Sequence, residues 1–179
     1  PDGAVPTFLD TPLGGMGPNP AVGQGASYKR ISVGEPIIID RIVAFDGYLV
    51  DQTRTMSSGR LPEQLRSAYF DMLKIQEYLF EIAKPGVSWE NLYLQCRRLA
   101  GEMGYQDHFM GAAGAQVAFV GHGVGIEIDE YPFIARGFKD QTLVENMTFA
   151  FEPKAVFPGL GAVGVEKCWR VSSEGIKRQ

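Results

Sequence analysis

Four carboxylates and one histidine in this chain are spaced so that two hairpins would press them together. Asp40 and Asp51 lie in I-I-I-D-R-I-V-A-F-D-G-Y-L-V-D-Q-T-R-T, and a fold about Phe45 and Asp46 places them directly opposite one another. Glu152 and Glu166 lie in F-E-P-K-A-V-F-P-G-L-G-A-V-G-V-E, where a Pro-Gly turn with Gly159 at its apex makes them partners. Directly opposed residues on antiparallel strands have Cβ atoms about 4.5–5.5 Å apart, and like charges placed there repel. Taken singly, each carboxylate has an ordinary structural reading as a strand end, a turn cap or a solvated edge charge. All four in facing register, each inside an apolar strand, require a cation.

His122 follows a short apolar strand in F-V-G-H-G-V-G. Its glycine neighbours remove bulk around the ring and permit unusual backbone angles. A lone histidine is more often structural than catalytic, but this one lies between two carboxylate pairs. One imidazole with four carboxylates is a hard, oxygen-rich donor set that suits Mn, Co, Fe or Zn rather than a thiolate-bound structural zinc. Two ions about 3.5–4 Å apart, bridged by carboxylates, would use all four acids, lower the pKa of a bridging water and clamp a tetrahedral intermediate. Metal-assisted hydrolysis is the reaction class reached from spacing alone.

The elements that must position these groups are legible in outline. Residues 1–35 are rich in Gly and Pro and read as an extended, turning segment. A β-rich run covers 36–55, with a turn at Phe45–Gly47. From Leu65 the apolar positions Ala68, Tyr69, Met72, Ile75, Leu79 and Ile82 recur at helical steps until Lys84-Pro85-Gly86. Ser88 is the expected N-cap of a second helix with Leu92, Cys96, Leu99, Ala100 and Met103 on its buried stripe and Gly104 as its stop. Short strands are expected over 116–120, 125–128, 147–151 and 162–171. Strands, two helices, then strands again predict an α+β domain, its helices packed on one side of a curved, mostly antiparallel sheet.

Composition bounds the function. The chain has 179 residues, 45% hydrophobic and 21% charged, enough for one domain with a sizeable core. A net charge of −4 with no Lys/Arg stripe excludes a nucleic-acid surface. No apolar run reaches the ~20 residues of a membrane span. Two cysteines, Cys96 and Cys168, are too few for a disulfide framework, so a reducing cytoplasm is the expected compartment. Cys96 reads as a small buried hydrophobe, whereas Cys168 alternates onto the face of Glu166. His108 and Tyr48 read as packing or surface residues, Arg54 as the partner of a nearby acid, and Trp89 and Trp169 as core or interface residues.

These residues together carry a family resemblance. D-x(10)-D ending in D-Q-T-R-T, then G-H-G-V-G-I-E-I-D-E-Y-P, then F-A-F-E-P and a final V-G-V-E resemble the creatinase/prolidase/methionine aminopeptidase family with its pita-bread fold. The match runs from about Asn19 to the C-terminus, and the short interval from Glu152 to Glu166 is more similar to the proline-peptidase branch. The resemblance implies that Asp40 binds one metal, His122 and Glu152 the other, and that Asp51 and Glu166 bridge. It also implies Glu152 as general base, two divalent ions (Mn favoured, with Co, Zn or Fe as alternatives), and short peptides with proline in second position as substrates. It leaves a homodimer open. The family usually carries helices before the equivalent of residue 1, and often a separate N-terminal domain. By that resemblance, residues 1–179 form a C-terminal catalytic domain lacking those parts.

Four positions depart from the family pattern. Asp129 stands in I-E-I-D-E where a histidine is usual, Gln24 replaces another histidine, Gly164 replaces an arginine, and Lys167 follows Glu166 in place of an acid. An ionised aspartate only accepts hydrogen bonds, so Asp129 would meet a positive group such as a free amine. Asp129 and Gln24 are the expected substrate contacts. Three functions fit this combination. They are an Xaa-Pro aminopeptidase or dipeptidase of unusual specificity, a non-peptide reaction on the same metal site, and a non-catalytic metal- or peptide-binding module.

Overall fold

A computed structural model describes residues 15–19 and 25–179. Gln24 therefore lies outside the described residues. The elements run β1 (Ile37–Phe45), β2 (Tyr48–Met56), α1 (Glu63–Ile82), α2 (Trp89–Glu102), β3 (Phe119–Gly123), β4 (Glu130–Ala135), β5 (Thr148–Phe151), β6 (Lys154–Phe157), β7 (Gly161–Gly164), β8 (Lys167–Ser172) and β9 (Gly175–Arg178). Every strand pairing among them is antiparallel. The strands form a five-stranded sheet in the order β4-β3-β5-β8-β9 and two hairpins, β1-β2 and β6-β7.

Both helices follow their apolar spacing. Leu65, Ala68, Met72, Ile75 and Leu79 of α1 are completely buried, each three or four residues from the last, so one stripe turns into the core. The Ser88 hydroxyl accepts from the Asn91 amide, as expected of an N-cap, and Gly104 beyond α2 takes the left-handed conformation (φ 88°) that ends many helices. Trp89, Leu92, Tyr93, Cys96 and Ala100 are the buried face of α2. Trp89 stacks near Tyr131 and Phe138, and Trp169 sits against Phe80, so both indoles are core residues.

The first hairpin differs from expectation in register. Its loop is Asp46-Gly47, with φ of 50° and 83°, the two positive values that a tight two-residue turn needs to match the strand twist. That turn pairs Phe45 with Tyr48, so Asp40 faces Thr53, and Asp51 faces Ile42. Asp40 and Asp51 are diagonal rather than directly opposed. Because side chains alternate with period two, a two-residue slip keeps both on the same face.

The second hairpin keeps its register. Gly159 turns with φ 76°, and Lys154 pairs with Gly164. The same register continues in the next ladder, where Phe151 pairs with Lys167. One long hairpin is thus broken into β5-β8 and β6-β7, and the expected single strand over 162–171 is two strands. Glu152 and Glu166 sit in the break.

The strand expected at 116–120 is shifted to Phe119–Gly123, so His122 lies inside β3 instead of after it. No strand forms over 125–128, while β4 and β9 lay outside the sequence expectations.

Candidate metal centre

Three elements deliver the site. β2 brings Asp51 and Thr53 to its inner face, β3 brings His122, and the break in the long hairpin brings Glu152 and Glu166. Asp51, His122, Glu152 and Glu166 are all buried. His122 Nε2 is 3.5 Å from Glu152 Oε1, 3.6 Å from Glu166 Oε1 and 4.0 Å from Asp51 Oδ2. Two donor atoms each bound to one ion at about 2.1 Å lie roughly 3–3.5 Å apart at tetrahedral or octahedral angles. The spacings around Nε2 are close to that range.

The fit to a cation also rests on unpartnered atoms. Asp51 Oδ1 and Glu166 Oε1 are buried and accept no hydrogen bond among the described residues. Buried polar atoms without partners are costly, and here the two belong to carboxylates that both approach His122, Glu166 through the unpartnered oxygen itself and Asp51 through its other oxygen. Ligand atoms of Asp51, His122 and Glu166 lie within 4.8 Å of one another. Asp40 stands at the margin, its side chain partly exposed, close enough to Asp51 for its charge to be felt.

The groups around these ligands orient them. Thr53 donates its hydroxyl to Glu166 Oε2 at 2.7 Å, and the Glu166 amide donates to the Thr53 carbonyl. Cys168 Sγ donates to the Asp51 carbonyl at 3.1 Å and accepts from its amide, so Cys168 stitches β2 to β8 beside the site. Asp129 Oδ1 is 3.2 Å from His122 Nδ1, and the Gly123 carbonyl is 3.1 Å away. Acceptors on Nδ1 favour the tautomer that leaves Nε2 free, the arrangement usual for a metal-ligating histidine.

Several side chains play parts other than those expected. Arg54 donates to the main-chain oxygen of Glu166 at 2.7 Å and to Gln52 instead of pairing with an acid. His108, by contrast, keeps the packing role expected of it, stacked on Phe157 with Nδ1 at the Val156 carbonyl. The glycines beside His122 have a different reason from the one read in the sequence. Neither has a positive φ, but a Cβ at Gly121 would meet the Ala150 carbonyl oxygen at 2.5 Å, and one at Gly123 would strike the carbonyls of Glu130 and Tyr131. They admit neighbouring strands.

Lys154 was not anticipated. It is completely buried, and its ammonium lies 2.6 Å from Glu152 Oε2 and 3.6 Å from Asp40 Oδ2. The available signal was a lone charge in the otherwise apolar run K-A-V-F, two residues from Glu152 and on the same strand face.

Burial sets the electrostatics. Burial first, then the charges of Glu166 and Asp40, pushes Asp51 up to about 8. Burial opposes protonation of His122, but the facing Glu166 carboxylate and the charge of Glu152 outweigh it and raise the ring to about 9. Burial raises Glu152 too, against the pull of Lys154. Glu166 ends low despite burial, because His122, Lys154 and Thr53 favour its charged form.

The metal-free folded state therefore binds Asp51 and His122 protons more tightly than the unfolded chain, whose values are near 3.8 and 6.5. Stability from both groups is complete at low pH and is lost as pH rises, through pH 4 to 8 for Asp51 and 6.5 to 9 for His122. Urea titrations of chelator-treated protein should show the midpoint falling from pH 6 to 9, and saturating Mn²⁺ should suppress that fall. A midpoint that rises with pH in the metal-free protein would contradict the assignment.

Comparison with known proteins gives the family and the fold. The sequence profile of metallopeptidase family M24 matches residues 9–173. The chain belongs to that family. It is 35% identical over 153 residues to the Xaa-Pro dipeptidase of Pyrococcus furiosus, covering 86% of this chain and 42% of that protein. Among solved structures, the X-Pro aminopeptidase of Thermotoga maritima superposes with a TM-score of 0.79 at 29% identity, covering 87% of this chain and 42% of that one. The prolidase of Pyrococcus horikoshii does so with 0.78 at 32% identity, covering 95% and 47%. The α+β pita-bread fold expected from the resemblance is borne out. The chain spans less than half the length of these relatives. Among the described residues, no helix is long and apolar enough to cross a membrane.

Proposed function

We propose that this chain carries the active centre of a dinuclear metal-dependent peptidase that hydrolyses short peptides with proline in second position. The observation that supports it most is the convergence of Asp51, Glu152 and Glu166 on His122 Nε2, with two buried carboxylate oxygens unpartnered. Asp51, His122, Glu152 and Glu166 would hold one divalent ion, and Asp40 with Asp51 and Glu166 the other. Ions held there would supply Lewis acidity and a water acidified towards neutral pH. Manganese is the favoured metal, since carboxylate-rich sites suit it.

The chain's own groups do the remaining work. Glu152 accepts the proton of the attacking water, and burial strengthens it as a base. Asp129 holds the His122 ring and, with its side chain 64% exposed, takes the free amine of the substrate. Gln24 is proposed as a second substrate contact.

The test is turnover of Xaa-Pro dipeptides by the purified protein with Mn²⁺, beside matched dipeptides whose second residue is alanine. The reading expects cleavage of the proline series, at least tenfold preference over alanine, and loss of turnover on chelation. A non-peptide reaction is indicated if Xaa-Pro cleavage emerges only after Asp129→His.

A further inference from the structure

Lys154 is the one fully buried cation beside the candidate ligands among the described residues, and its surroundings are built to hold it. It is directly opposite Gly164 on the β6-β7 ladder. A Cβ at Gly164 would meet Lys154 Cγ at 2.5 Å and the Pro153 carbonyl oxygen at 2.7 Å, so the lysine stem lies flat across the glycine. From there the ammonium reaches Glu152 Oε2 at 2.6 Å and Asp40 Oδ2 at 3.6 Å. Glu152 is thus divided between two partners: Oε2 is fixed by Lys154, and Oε1 points to His122 Nε2 at 3.5 Å. Asp40, which comes from a different hairpin, is drawn to the cluster by the same ammonium.

We propose that Lys154 is a built-in cation of the metal centre, a positioning residue that orients Glu152 and Asp40 and weakens the hold of the centre on divalent ions. Two physical effects follow from one charge. A charge-assisted hydrogen bond to a single carboxylate oxygen leaves the other aimed inward, so Glu152 presents a fixed oxygen to water and metal. A monovalent cation a few ångströms from a divalent ion repels it strongly in a low-dielectric setting, so the centre binds metal less tightly than its four carboxylates alone would. Gly164 is the steric partner of this arrangement.

The proposal rests on the metal-peptidase reading, and the experiment separates the two. Mn²⁺ affinity is measured by chelator competition, and kcat and KM on an Xaa-Pro dipeptide are measured with saturating Mn²⁺, for the parent protein, Lys154→Met and Lys154→Arg. Lys154→Met keeps the length of the stem and removes the charge. It is expected to bind Mn²⁺ at least tenfold more tightly while kcat falls at least tenfold and KM stays within threefold. Lys154→Arg keeps the charge and should stay within threefold of the parent in Mn²⁺ affinity. General structural damage would weaken metal binding and turnover together, so tighter metal with slower turnover is diagnostic.

Unchanged or weaker Mn²⁺ binding in Lys154→Met overturns the proposal, as does an unchanged kcat. Tighter binding in Lys154→Arg overturns it too. Should Lys154→Met fail to fold, Lys154→Gln, which removes the charge and keeps a donor for Glu152, carries the Mn²⁺-affinity arm of the test: binding no tighter than the parent's overturns the proposal. A parent protein that binds no Mn²⁺ sinks the metal reading itself, and this proposal with it.

Discussion

Glu152→Gln is expected to lower kcat on an Xaa-Pro dipeptide by about 10²–10⁴-fold, the usual range for removing a general base. The substitution keeps the size and planarity of the side chain. Its amide oxygen still accepts from Lys154, so the break between β5-β8 and β6-β7 retains its shape. What it loses is a charge and the ability to take a proton on the side facing His122. Mn²⁺ affinity should fall as well, so the assay is run at saturating Mn²⁺ with metal content checked on the same sample. A Glu152→Gln protein that turns over within threefold of the parent would remove the role assigned to Glu152.

Asp51→Asn should move function and stability in opposite directions. Asp51 has one oxygen 4.0 Å from His122 Nε2 and another with no partner, and burial with neighbouring Glu166 and Asp40 makes its charge unfavourable without metal. Asparagine removes that repulsion. The metal-free variant should therefore unfold at higher urea than the metal-free parent at pH 8–9, where the parent's carboxyl is forced to ionise. The same change removes a ligand and points N–H donors at the cluster. Mn²⁺ affinity should drop by two orders of magnitude or more, of the order expected for losing a charged, hydrogen-bonded partner at a buried ion. Reduced stability in the metal-free variant would argue that Asp51 is a structural acid whose charge is satisfied elsewhere.

The parts of the site that were legible in the sequence are those governed by local turn chemistry and period-two alternation. Glu152 and Glu166 could be paired because Gly159 marks the apex and the register runs unbroken through both ladders. Asp40 and Asp51 were placed on the right face with a register two residues off, because Asp46-Gly47 occupies both central turn positions. His122 was recognisable from its glycines, although those glycines serve the approach of β4 and β5.

Long-range contacts were not legible. The Thr53 bond to Glu166 spans 113 positions, and the Cys168 bonds to Asp51 span 117. Nothing local to either residue announces them. β4 was missed because Pro132 within Glu130–Ala135 speaks against a strand, and because it pairs with β3 through a bulged register. Lys154 is the instructive omission. An ammonium in an apolar strand is costly unless paired, so its mere position two residues after Glu152 was a sign that the cluster extended further.

The central claim is that a divalent ion binds where Asp51, Glu152 and Glu166 meet His122. Anomalous diffraction from crystals grown with Mn²⁺, recorded on both sides of the manganese absorption edge, tests it directly. The account predicts a manganese peak about 2.0–2.3 Å from His122 Nε2 and from carboxylate oxygens of Asp51 and Glu166, near the usual length of such bonds. A second peak beside Asp40 would support the dinuclear reading. A map with no anomalous peak within bonding distance of His122 would contradict the claim.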